Sequence, residues 1–159
     1  IGTAALAGTI LSSYTLSGMV ISIFLSQILR LFKNKSLVFL SLLVAVGVSL
    51  VVLFPNIPML FVGTILAGAG FIGIVSVLQI YNGRTLPTDS VAFGSTLILG
   101  MNQLAIFASN YFIVFSHSIF GRSTDIESTL IACVICYIIL TVASFMLKVA
   151  PNNDSLEIA

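Results

Sequence analysis

The chain has 159 residues, of which 58% are hydrophobic and 7% charged, with a formal net charge of +1 and a mean hydropathy of +1.20. A water-soluble domain carries roughly a quarter charged residues, so this composition cannot cover a solvent-facing surface. So small a net charge also excludes the basic face that nucleic-acid binding requires, which leaves an integral membrane protein.

Five apolar segments follow one another, at about 3–29, 37–54, 59–81, 91–120 and 128–147, with the usual boundary error of roughly two to four residues. Roughly 20 consecutive apolar residues cross a bilayer as a helix. None of the segments shows the polar/apolar alternation of barrel strands. The expected fold is therefore an all-α, polytopic transmembrane helix bundle with five spanning helices, a single transmembrane domain over 1–159.

The first segment is too long for the apolar region of a secretion signal, and no small-residue cleavage site follows it. Gly18, Ser22 and Ser26 recur every fourth residue and form a small-residue packing seam, while Tyr14 is a modest ligand candidate. "RLFKNK", Arg30 to Lys35, then holds three of the six Lys and Arg residues of the whole chain. "PNIP", Pro55 to Pro58, turns the second segment into the third, and Pro87 falls in the next loop, so no proline is expected within a span.

The third segment is rich in Gly63, Gly68, Gly70 and Gly73, with Ala67 and Ala69, which permits close helix approach. Ile72, Ser76 and Gln79 share a face, and Gln79 is either a pathway residue or an amide snorkelling to the interface. In the fourth segment Ser95, Asn102, Ser109 and Ser116 recur every seven residues, as do Gln103, Asn110 and His117. Seven residues are close to two helical turns, so the two rows form one polar stripe, which should not face lipid. Asn102, Gln103 and Asn110 either line a path for an uncharged or amphipathic solute or bond to a neighbouring helix. His117 is expected in the outer interface.

Cys133 and Cys136 in the fifth segment lack the His or further Cys of a zinc site and read as packing residues. The expectation is no metal and no cofactor. No catalytic constellation is apparent, so an enzyme is not expected.

Charge sets the topology. The first-to-second loop, the third-to-fourth loop and the tail carry Arg30, Lys33, Lys35, Arg84 and Lys148; the other side carries Arg122 beside Asp125 and Glu127. By the positive-inside rule the first side is cytoplasmic, with the carboxyl terminus inside and the amino terminus outside a cell membrane. The sequons at Asn34 and Asn153 then face the cytoplasm and are not expected to be glycosylated. Entry from the outer face without an initiator Met reads as a piece of a longer polytopic protein.

Read from Ser26, "SQILRLFKNKSLVFL" resembles the loop between the second and third helices of each half of major facilitator superfamily transporters, G-x-L-x-D-R-x-G-R-[RK]. Ile28, Phe32 and Lys35 match its apolar, aromatic and final basic positions, and Ser26 replaces a glycine with another small residue. Arg30, Leu31, Lys33 and Asn34 depart from its charged core. "LFPNIPMLFVGTILAGAGFIGIVSVLQIYNGRTLP" is similar to the family's short outer turn, glycine-rich fourth helix and following loop, with Leu86, Pro87, Gly94 and Ser95 in family-like positions. The resemblance covers nearly the whole chain.

The degraded loop and the absence of Arg or Lys before Arg84 in the third segment fit the carboxyl-terminal half, helices eight to twelve of twelve. The resemblance implies a secondary transporter of small organic solutes, an exporter working by alternating access, whose partners are its substrate, the lipid bilayer and the missing amino-terminal half of the same chain. The alternative from another class is a non-transporting membrane sensor or assembly subunit with a carrier-like fold.

Overall fold

The computed structural model describes residues 4–32, 35–120 and 125–146. They form five helices: α1 (Ala4–Phe32), α2 (Ser36–Leu53), α3 (Ile57–Thr85), α4 (Thr88–Phe120) and α5 (Asp125–Met146), and all five are long and apolar enough to cross a membrane. Lys33, Asn34, Arg122, Lys148 and Asn153 lie outside the described residues.

The helices run past the apolar segments because polarity marks the membrane edge rather than the helix end. Asn82, Arg84 and Thr85 complete α3, and Asp89 lies in the first turn of α4. Pro58 falls inside the first turn of α3, where its missing N–H breaks no helical bond. Asn56 is extended before it, and the Leu60 N–H donates to the Asn56 carbonyl at 2.9 Å. Leu86 is extended at φ −95°, ψ 146°, as a residue before proline must be, and this ends α3. The Ser90 N–H then donates to the Pro87 carbonyl at 2.8 Å and opens α4.

Packing does not follow chain order. α3 lies between α1 and α2, which barely touch each other; α2 continues onto α5, and α5 onto α4. The glycines of α3 make this possible by serving different neighbours. Gly63 meets the Gly47 backbone of α2, and Gly70 meets Val44 and Leu40, also of α2. Gly68 turns to the other side, against Tyr14 and Ser17 of α1. The α1 seam runs through Gly18, Ile21, Leu25 and Leu29 rather than through Ser22 and Ser26, which stay exposed. Gly18 is buried against Ile72; the sequence spacing chose the right start and the wrong row.

One end of the bundle gathers Arg30, Lys35 and Arg84, all exposed, and is called the basic end below. Just inside it Leu25, Leu40 and Val77 form a buried core, ringed by Ile21, Leu37, Ile74 and Tyr81. Phe32 stacks on Phe39 at 4.4 Å across the α1–α2 turn. Large apolar side chains cover the outside, among them Ile23, Leu31, Phe93, Phe107 and Met146. Such a surface suits hydrocarbon and would aggregate in water.

Candidate functional site

In hydrocarbon a polar side chain must find a protein partner, a water or a ligand, because leaving it unpaired costs several kcal/mol. Short hydroxyls solve this within their own helix. Ser12, Ser17, Ser22, Ser49, Ser76, Thr96 and Ser109 each donate to the carbonyl three or four residues earlier. Thr64 does the same with Leu60. These residues are satisfied locally and mark no pathway.

A second group ties helices together. Ser36 and the Tyr81 hydroxyl pair at 3.1 Å between α2 and α3, and Thr141 of α5 donates to Ser41 of α2 at 3.1 Å. Asn82 is buried at the α3–α4 corner and donates to the Val91 carbonyl at 3.0 Å and to Ser95 Oγ at 2.9 Å. Its side chain also fills the space above Gly94. Ser116 is buried and pairs with Thr129 at 3.1 Å, joining α4 to α5 at the end away from the basic one. Asn82 was not singled out from the sequence; the signal that it is structural is the small residue Gly94 beside its partner Ser95.

What remains is a set of side chains too long to bond back to their own helix. Among the described residues Tyr14, Gln27, Gln79, Asn102, Gln103, Asn110, Tyr111 and Tyr137 form no side-chain hydrogen bond, and no unpartnered polar atom is fully occluded. Gln103 and Asn110 are exposed, Asn102 half-buried, Gln79 half-buried on α3 and Tyr14 half-buried on α1.

The direction of the α4 stripe follows from its ends. Ser95 meets α3 and Ser116 meets α5, so that row is the side of α4 turned to the bundle, and Asn102 lies on it between the two contacts. At about 100° per residue, Gln103 and Asn110 lie roughly a quarter turn to one side of this row, whereas Phe93, Leu97, Leu104 and Phe115 lie opposite it. Asn102 therefore lies on the contact row, with Gln103 and Asn110 exposed to one side of it, on a stretch of α4 held at each end and, among the described residues, with no side-chain hydrogen bond to another helix between.

Tyr137 was missed by the sequence reading, since it stands in an apolar run without a periodic polar companion. The fold leaves it half-buried in the middle of α5. Of the loop residues, Arg30 is exposed, and Lys35 places its Nζ 5.3 Å from the centre of the Phe145 ring, which ties the start of α2 to the end of α5. Lys33 lies outside the described residues. Cys133 and Cys136 are free thiols, and among the described residues no group of three or more His, Cys, Asp or Glu is placed to hold a metal.

Comparison with protein-family models, curated proteins and solved structures finds no match for this chain.

Proposed function

We propose that the chain is the carboxyl-terminal part of a major facilitator-type secondary transporter in a cell membrane. Its basic end and carboxyl terminus are cytoplasmic, and it exports a small organic solute by alternating access about a midplane site. The observation that supports this reading is the α4 amide set. Asn102, Gln103 and Asn110 lie within a span and have no hydrogen-bond partner among the described residues, with Gln103 and Asn110 exposed. A polar group at that depth calls for water, a solute or a further polar helix. The glycines of α3 bring its backbone directly against α1 and α2, and in a carrier such small faces would let helices slide.

The test uses the full-length gene product with Cys133 and Cys136 replaced by Ala. Gln103→Cys and Asn110→Cys are expected to react with a membrane-impermeant maleimide in intact cells, and Leu104→Cys on the opposite side is not. In a host stripped of its own exporters, Gln103→Ala and Asn110→Ala should cut efflux from a panel of neutral amphipathic toxicants by about tenfold or more, the loss of one or two hydrogen bonds to solute. Membrane abundance should not change. Abundance that falls while efflux per molecule holds assigns the amides to helix packing. Labelled cysteines with no efflux of any compound overturn the carrier in favour of a membrane sensor or assembly subunit.

A further inference from the structure

Four contacts stitch the basic end into one platform. The Phe32 and Phe39 rings stack at 4.4 Å across the α1–α2 turn, and Ser36 pairs with the Tyr81 hydroxyl at 3.1 Å between α2 and α3. Asn82 of α3 reaches Ser95 of α4 at 2.9 Å, and the Lys35 Nζ lies 5.3 Å from the centre of the Phe145 ring of α5. All five helices are tied together there. Onto this platform three helices each deliver one exposed cation: Arg30 in the last turn of α1, Lys35 at the N-cap of α2 and Arg84 in the last turn of α3. Among the described residues none of the three forms an ion pair, not even with Asp89, the one described carboxylate at this end. The start of α2 adds the positive end of a helix dipole, with no side-chain cap and no acidic residue in its first turn. The basic end therefore carries an excess of positive charge that the described residues do not neutralise.

We propose that the basic end is a binding surface for the headgroups of anionic phospholipids, whose phosphates Arg30, Lys35 and Arg84 attract together. Complementary charge is the first argument: basic clusters at the ends of spanning helices draw anionic lipid out of a mixed bilayer, and guanidinium groups match phosphate oxygens two at a time. The apolar rim is the second. Leu31, next to Arg30, is 78% exposed, and Phe145 and Met146 at the end of α5 are 66% and 81% exposed. These side chains need hydrocarbon within reach of the cations, which sets the cluster at the boundary between acyl chains and headgroups. A lipid supplies chains for the rim and charge for the cations, whereas a soluble phosphate supplies only the charge. The inference goes beyond the carrier reading and does not depend on what the protein carries; it needs only that the helices span a membrane.

The experiment reconstitutes the purified full-length protein in phosphatidylcholine and adds a trace of spin-labelled phosphatidylglycerol or spin-labelled phosphatidylcholine with the same chains. Electron spin resonance separates label held at the protein from label in the bulk bilayer, which gives the relative association constant of the two lipids. Phosphatidylglycerol is expected to associate about fivefold more strongly at low salt. Arg30→Gln, Lys35→Gln and Arg84→Gln together should remove most of this preference, and each alone should lower it. Arg30→Lys, Lys35→Arg and Arg84→Lys together keep the charge and should keep the preference. Gel-filtration profiles confirm that the variants are folded, and the single substitutions carry the test if the triple glutamine variant is not. Millimolar glycerophosphoglycerol, the same headgroup without chains, should displace no label. Equal association of the two lipids, or a preference that survives the glutamine substitutions, overturns the proposal. Displacement by glycerophosphoglycerol overturns it in favour of a site for a soluble phosphate.

Discussion

Adding one methyl group at the α2–α3 crossing is expected to destabilise the bundle in a way that backbone contact alone explains. A Cβ on Gly47 would lie 2.6 Å from the Gly63 carbonyl oxygen and 2.7 Å from the Ala67 nitrogen, and a Cβ on Gly63 would lie 2.6 Å from the Gly47 oxygen. Ordinary contact begins at 3.4 Å, so the helices must part by about 0.8 Å there. The obstacle is backbone, which cannot rotate aside like a side-chain tip. A separation of 0.5–1 Å forfeits roughly a quarter to a half of the attraction between facing atoms. Gly47→Ala and Gly63→Ala should each cost about 1–3 kcal/mol, the range for overpacking. The assay is reversible unfolding of the full-length protein in mixed micelles of rising dodecyl sulfate fraction. Gly100→Ala is the control, because a Cβ there meets nothing within 4 Å, and it should stay within about 0.5 kcal/mol of the parent. Since both substitutions force the same separation, the double variant should lose less than the sum of the singles. A single variant as stable as the parent, or a double with a fully additive loss, would refute the reasoning.

The same unfolding assay reads the other contacts. Asn82→Leu removes both donors that close the α3–α4 corner and should cost about 1–3 kcal/mol, whereas Ser95→Ala removes one acceptor and should cost about 1 kcal/mol. Phe145→Leu should cost up to about 1 kcal/mol by removing the ring beneath Lys35, and Phe145→Tyr should restore most of it. A cycle of Ser41→Ala and Thr141→Val should give a coupling of about 0.6 kcal/mol, the average for hydrogen bonds between membrane helices; zero coupling would mean that the pair is not formed in the bilayer.

The five helices were readable because an apolar run of that length has one satisfactory structure in a membrane. Their ends were not, since Arg84 and Asp89 are charged yet helical, each at the end of a helix dipole that favours its sign. The glycine-rich faces of α3 announced close approach in composition; which neighbour each glycine serves depends on rotation about the helix axis, and neighbour order is not written in any one segment. The α4 stripe was visible through its repeat of seven. Its direction needed the contacts of Ser95 and Ser116. Periodicity within a helix reveals a face, and only a neighbour says what the face is for.

The position of α3 between α1 and α2 also dictates a sequence of events during synthesis. A ribosome delivers α1 and α2 to the bilayer before α3 exists, and these two spans touch each other little beyond their turn. Until Gly63, Gly68 and Gly70 emerge, neither has the α3 face on which it packs here. α1 and α2 therefore stay unjoined to each other until α3 arrives, and its arrival ties the three together. A nascent chain halted after Leu53 should be cleared by membrane quality control far faster than one halted after Thr85, and pulse-chase of stalled chains with those two endpoints measures the difference.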